Sequence, residues 1–337
     1  MVELEYPWLA AAIRGLPAVL PSALLIRGQV GVGKNALASL LARSILCESG
    51  ETRPAGGCGA CTACHLFAAG THPDFRKVEP VSDEDDSVES SQSDATRRSK
   101  RRKYVIPVSA IRDLADLVGA SAYRGMGKVV MISPAEAMNP NAANALLKML
   151  EEPPAKSHFM LVSHQPQKLP ATIVSRCFQL PMRAPAMQVA LQWLRQKDAR
   201  NSELALSMAA YAPLAAFGLL SDDAYWKARS ELVQALAREP VDPFELAACA
   251  EQLEPAIVGN LLAMWIHDVL ATQAGAGARF HCDNTRQIKR LAEQITAEQL
   301  CRWHDRVLEY VRAAYHPLNR RLALEALFTD YPGVAAS

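Results

Sequence analysis

A parallel, doubly wound α/β sheet carrying a phosphate-binding loop, followed by an all-helical C-terminal half, is the fold that this 337-residue sequence predicts. Three observations predict it. Short apolar runs alternate with helical patterns through the first half of the chain, an order that needs crossover connections and therefore parallel strands. A glycine-rich turn, Gly28-Gln29-Val30-Gly31-Val32-Gly33-Lys34-Asn35, leads from one such run into a helix. Beyond roughly residue 185 the strand signals stop, and amphipathic helical patterns continue to about residue 330.

The first strand is Ala23-Leu24-Leu25-Ile26-Arg27, and the helix after the turn sets Leu37, Leu40, Leu41 and Ile45 on one face. Further strands are expected at Lys128 to Ile132, His158 to Ser163 and Cys177 to Leu180, with helices at Val108 to Val118 and Asn141 to Leu150 between them. Asn139 before Pro140 reads as an N-cap and first helical residue, and Glu151-Glu152-Pro153-Pro154 closes that helix. Its core face is expected at Ala145, Leu146, Met149 and Leu150, leaving Lys148 exposed to meet a neighbour or a phosphate. Residues 81–103 carry Asp83, Glu84, Asp85, Asp86, Glu89 and Asp94, then Arg97, Arg98, Lys100, Arg101, Arg102 and Lys103, with almost nothing apolar, and are expected to be a disordered insertion.

Half of the residues are hydrophobic, enough for two or three domains, and the formal charge of +1 excludes a global field that would mark a nucleic-acid or membrane binder. Glu3 and Glu5 stand where a secretory leader would carry bases. The longest apolar stretch, Leu204 to Leu220, is interrupted by Pro213 and too short to span a bilayer comfortably, so a cytoplasmic protein without a membrane segment is expected.

The loop from Gly28 to Asn35 matches G-x-x-x-x-G-K at a strand-to-helix turn. Gly28, Gly31 and Gly33 let backbone N–H groups turn inward at a helix N-terminus, where anions are favoured, and Lys34 is placed to reach the β and γ phosphates of a nucleotide. Asn35 departs from the pattern, standing where Ser or Thr ligates magnesium. The second half of an ATPase centre, an apolar strand ending in acids that hold the metal and polarise water, is missing: Val129-Val130-Met131-Ile132 ends in Ser133-Pro134. Glu136 lies beyond the proline and is not expected to substitute. Weak ATP or ADP binding without hydrolysis is therefore expected.

Of eight cysteines, Cys47, Cys58, Cys61 and Cys64 cluster, with Gly56, Gly57 and Gly59 among them. Four thiolates with no vacant position suit a structural zinc ion. His65 and His72 are alternative ligands, either of which would replace Cys47, the most distant donor.

Taken together, Tyr6-Pro7-Trp8, the loop ending in Asn35, the four cysteines followed by Gly70-Thr71-His72-Pro73-Asp74, the run Asn144-Ala145-Leu146-Leu147-Lys148-Met149-Leu150-Glu151-Glu152-Pro153-Pro154, and Ser175-Arg176-Cys177 resemble the delta-prime subunit family of bacterial DNA polymerase III. The chain resembles the motor subunit of the same clamp loader less, because that family keeps Asp-Glu where Ser133-Pro134 stands here.

The resemblance implies an AAA+ type P-loop domain over 1–184, with a zinc-binding module at 47–64 and an insertion at about 80–103 that has no counterpart in the family pattern. It implies a helical lid over 185–225 and a helical collar over 226–337 that closes a hetero-pentameric ring with motor and delta subunits. The implied role is that of a non-hydrolysing stator of the DNA polymerase III holoenzyme, helping to load the sliding clamp onto primed DNA during replication.

The same resemblance makes Arg176 an arginine finger offered to a neighbouring motor. Read from the residues alone, the alternative for Arg176 is a surface arginine paired with an acid of its own chain. Cys177 reads as a small buried hydrophobe. The lid stretch Ala209 to Leu214 offers no arginine to sense nucleotide, and Ser163 or His164 would take the sensor position on the preceding strand. Two alternatives remain at this point: a catalytically active AAA+ ATPase of the motor type, and a zinc-dependent nucleic-acid module using Arg97 to Lys103.

Overall fold

The structure, a computed structural model, describes residues 5–17, 19–49, 56–82, 104–120, 122–123, 126–198, 201–313 and 319–335. Most of the acidic and basic insertion, residues 83–103, lies outside them. Two compact units are present, Met1–Val189 and Ala190–Ser337.

The first unit opens with a short helix α1 (Leu9–Arg14) and strand β1 (Ala23–Arg27), followed by α2 (Lys34–Leu46) and α3 (Thr62–Ala68). Strand β2 (Phe75–Val78) and the two-residue strands β3 (Val81–Ser82) and β4 (Tyr104–Val105) precede α4 (Val108–Gly119), β5 (Lys128–Ile132) and α5 (Pro140–Glu151). The unit closes with β6 (Ser157–Ser163), the single turn α6 (Ala171–Val174) and β7 (Phe178–Pro181). Five strands form one parallel sheet in the order β2-β5-β6-β1-β7.

Every residue of β5 is buried, and β1 and β6 are nearly so, as expected of central strands covered on both faces, whereas the edge strands β2 and β7 keep exposed positions. That is why the central strands are legible as apolar runs. The sequence reading missed β2, Phe-Arg-Lys-Val, because its middle residues are polar and face out. Strand β7 begins at Phe178, one residue after the expected start, and Cys177 is buried just before it.

The expected core face of α5 needs correction. Ala142, Ala143, Leu146 and Leu150 are buried, whereas Ala145 and Met149 are only partly covered. They line an open groove of about 500 Å³ with Val108, Ile111 and Arg112 of α4. The face is turned because α5 packs on the sheet and on α4 at once. On α2, Leu37, Leu41 and Ile45 are buried and Leu40 is half-buried.

The second unit is helical throughout, with α7 (Met187–Lys197) running across the division, then α8 (Ser202–Met208), α9 (Pro213–Leu220), α10 (Asp223–Ala237), α11 (Pro243–Glu251) and α12 (Pro255–Gln273). It ends with α13 (Thr285–Gln294), α14 (Ala297–Ala313), α15 (Arg320–Thr329) and α16 (Pro332–Ala335). Pro213 splits the expected apolar stretch into α8 and α9. Among the described residues only α12 has the length and mean hydropathy, 1.2, of a membrane span. It is instead the core helix of this unit, burying Val258, Leu261, Leu262, Trp265, Ile266 and Val269 against α13 and α14. Trp303 stacks on Tyr331 at 4.5 Å between centroids, and its Nε1–H donates to the Leu327 carbonyl at 3.1 Å.

Candidate nucleotide and metal sites

The phosphate loop leaves the C-terminal end of β1, between its neighbours β6 and β7, where ligands bind in open α/β sheets. Gly28 sits at φ 153°, and a Cβ there would lie 2.1 Å from the Met182 carbonyl oxygen, so only glycine lets the loop pass β7. Gly33 at φ 93° opens α2. Trp8 fixes the loop from outside: it is buried, and its Nε1–H donates to the Val32 carbonyl at 2.9 Å. The sequence singled out Trp8 only through a family motif, since a contact across 24 positions leaves no local signal.

Lys34 is 3% exposed, and its Nζ donates to the carbonyls of Gly28 at 2.7 Å and Gln29 at 2.5 Å. Burial pulls its pKa down to about 8, with the charge of Glu136 opposing. The two loop carbonyls thus take two of the three ammonium donors.

The end of β5 explains what the Asn35 and Ser133 replacements do. Ser133 is buried, and its Oγ donates to Asn35 Oδ1 at 2.7 Å, tying β5 to the first turn of α2. Glu136 is turned elsewhere, since its Oε1 accepts N–H bonds from His164 at 2.9 Å and Gln165 at 3.1 Å. Its Oε2, the Ser163 Oγ and the His164 Nδ1 are buried without hydrogen-bond partners among the described residues. His164 has its pKa lowered by burial and then by the charge of Lys34, with Glu136 opposing, which favours a neutral ring. Strand β5 leads into Ser133-Pro134 without a carboxylate, and Glu136 beyond it has one oxygen, Oε1, held by two backbone donors.

The cysteines come together as their spacing predicts. The Sγ atoms of Cys47, Cys58, Cys61 and Cys64 all lie within 4.8 Å of one another. A tetrahedral ion with Zn–S bonds of ~2.3 Å needs sulfurs about 3.8 Å apart, so the cluster fits with small adjustment. Backbone N–H groups of Cys58, Cys61 and Cys64 point at Cys47, Cys58 and Cys61 sulfurs at 3.3, 3.3 and 3.4 Å, the donor pattern that supports thiolates.

Burial raises the Cys47 thiol but hydrogen bonds from Ser49 and Cys58 win, bringing it down to about 6, while burial drives Cys64 up to about 12. Four thiol sulfurs gathered this closely are a donor set that a divalent metal would hold as thiolates. Neither His72 nor His65 is part of the cluster, and the His72 Nδ1 accepts the Asp74 N–H at 3.1 Å. Buried Asp74 in turn accepts the Tyr123 N–H at 3.0 Å, so His72-Pro73-Asp74 braces the start of β2.

Arg176 lies past α6 with its side chain 37% exposed. Its Nη2 pairs with Glu151 at 2.6 Å and its Nη1 donates to the Thr172 carbonyl at 3.0 Å. In this chain the arginine therefore has an acid of its own, and it remains at the surface. In the second unit, the stretch 209–214 has no arginine of its own, but Arg279 stacks over Tyr211 at 4.8 Å, a contact that sequence order hides.

Comparison with known proteins bears on this arrangement. Residues 18–186 match the family model described as DNA polymerase III, delta subunit, and residues 223–331 match the model described as DNA polymerase III, delta subunit, C terminal. The chain is 33% identical over 342 residues to DNA polymerase III subunit delta' of Pseudomonas aeruginosa, covering 97% of each chain. It is 32% identical over 305 residues to the Escherichia coli K12 protein of the same name, covering 88% of this chain and 85% of that one. A shorter likeness, 38% over 162 residues, links 48% of this chain to 22% of DNA polymerase III subunit tau of Salmonella typhimurium. A parallel sheet with a phosphate loop at its switch point, a cluster of four thiols behind it and full-length likeness to these proteins lead to one conclusion: the chain belongs to the delta-prime family of DNA polymerase III subunits.

Proposed function

We propose that this protein is a non-hydrolysing clamp-loader subunit, a stator that helps load the sliding clamp onto primed DNA. It would sit with motor and delta subunits in a hetero-pentameric ring in the cytoplasm, with 185–225 serving as lid and 226–337 as collar. The observation that carries the reading is the Ser133 to Asn35 hydrogen bond, which joins two side chains where a working site needs a metal between a hydroxyl and a carboxylate. Weak nucleotide binding without hydrolysis fits a loop that keeps Lys34 but has Asn35 in place of the magnesium-ligating hydroxyl.

Arg176 is the residue this chain would lend to a neighbour. Exposed and cationic, it would enter the adjacent motor's site and spread the charge that builds on the γ-phosphate, a contribution on the order of 10³-fold or more in related systems. Cys47, Cys58, Cys61 and Cys64 would hold a structural zinc that fixes the loop between α2 and α3. The ion would contribute folding energy and no chemistry.

Reconstitution tests the proposal. A ring carrying Arg176→Ala should assemble normally yet lose clamp-dependent ATP turnover at one motor site, and the isolated chain should release no phosphate. Undiminished turnover by the variant ring would remove the finger, and steady hydrolysis by the lone chain would favour the motor-type reading that the tau likeness leaves standing.

A further inference from the structure

The two contacts of Arg176 form a clamp at the surface of the first unit. Glu151, the last residue of α5, holds Nη2 at 2.6 Å, and the Thr172 carbonyl at the turn α6 holds Nη1 at 3.0 Å. Ser175 Oγ donates to the same Thr172 carbonyl at 3.1 Å, so the Ser-Arg pair is anchored on one acceptor. A guanidinium has five N–H donors, and these contacts use one on each terminal nitrogen. Among the described residues the Nε–H and a second N–H on each Nη have no partner and are left for an incoming anion.

Local helix electrostatics do not account for Glu151. A carboxylate at a helix C-terminus faces the negative end of the macrodipole and is mildly disfavoured there, and the Arg176 cation it meets offsets that. Both partners are substantially exposed, 37% and 48%, and a pair of this kind exchanges readily with other ligands. It orients the fork without locking it.

We infer that Glu151 is a positioning residue for Arg176: together with the Thr172 carbonyl it biases the guanidinium towards one orientation, with three donors turned to a phosphate presented by a neighbouring chain. This rests on the trans role proposed for Arg176. Glu151 touches neither nucleotide nor reacting atoms, and it acts by limiting the rotamers that Arg176 must give up on engagement.

The test is a double-mutant cycle in the reconstituted complex, with clamp- and DNA-stimulated ATP turnover measured for Glu151→Ala, Glu151→Gln, Arg176→Ala and the double variant. Glu151→Ala should lower kcat about 3- to 30-fold, within the span of coupling between contacting residues, and leave KM for ATP unchanged, because the nucleotide is bound by the other subunit. Glu151→Gln, which keeps an acceptor oxygen, should recover part of the loss. In the Arg176→Ala background, Glu151→Ala should have no further effect.

Equal losses in both backgrounds, or a KM change with constant kcat, would overturn the positioning role. If Arg176→Ala itself leaves turnover intact, the trans role of Arg176 fails and not merely its clamp. Assembly measured by gel filtration keeps a folding defect from passing as either result.

Discussion

Ser133 Oγ donates to Asn35 Oδ1 at 2.7 Å, linking the end of β5 to the first turn of α2. In a hydrolysing P-loop site that gap holds magnesium between a hydroxyl and a carboxylate. Purified chain should therefore show no steady-state phosphate release above the blank. Asn35→Thr alone should not restore it, since β5 still ends without an acid, and turnover by that single variant would disprove the account.

Trp8 ties the N-terminal segment to the phosphate loop through one hydrogen bond to the Val32 carbonyl. Trp8→Phe keeps most of the ring but leaves that buried carbonyl without its donor, and should lower stability by about 1–3 kcal/mol. Urea unfolding of the two proteins, compared by midpoint at constant slope, measures it.

The thiol cluster predicts about one zinc per chain by elemental analysis, as for a closed four-thiolate site. Cys61→Ser should lose most of it, and chelation of the parent protein should make Cys58 and Cys61 reactive to thiol reagents. Zinc retained in full after Cys61→Ser would exclude this ligand set.

His281 in the second unit gives a pH prediction. It is fully buried beside Arg229, whose Nη2 lies 3.0 Å from His281 Nδ1, and burial, then the Arg229 charge, pull its pKa down to about 4. Between that value and the ordinary value of 6.5 the unfolded chain binds the proton and the folded chain does not. Stability from this group is thus present above pH 6.5 and is lost as pH falls towards 4, by an amount on the order of 2–3 kcal/mol. His281→Gln should flatten that part of the stability profile measured by denaturant titration from pH 7 to 4.

Much of the first unit was legible in the sequence because its signals are local. The glycine loop, the four cysteines and the apolar runs of β1, β5 and β6 each declare themselves within a few residues. The contacts that decide how the sites behave are not local. Ser133 meets Asn35 across 98 positions, Glu136 reaches the His164 N–H across 28, and Glu151 meets Arg176 only because α5 and α6 pack together. The face of α5 was read in part: Leu146 and Leu150 are buried and Ala145 and Met149 pack at the edge of the core, but the burial of Ala142 and Ala143 was not foreseen, because periodicity alone does not say how far the covered stripe extends.

Strands β3 and β4 pair Val81 with Val105 and Ser82 with Tyr104, so the chain departs and re-enters one ladder spacing apart, about 4.8 Å. Such a doorway makes the α/β module indifferent to what hangs from it, because closing a longer excursion adds only logarithmically to the entropy lost.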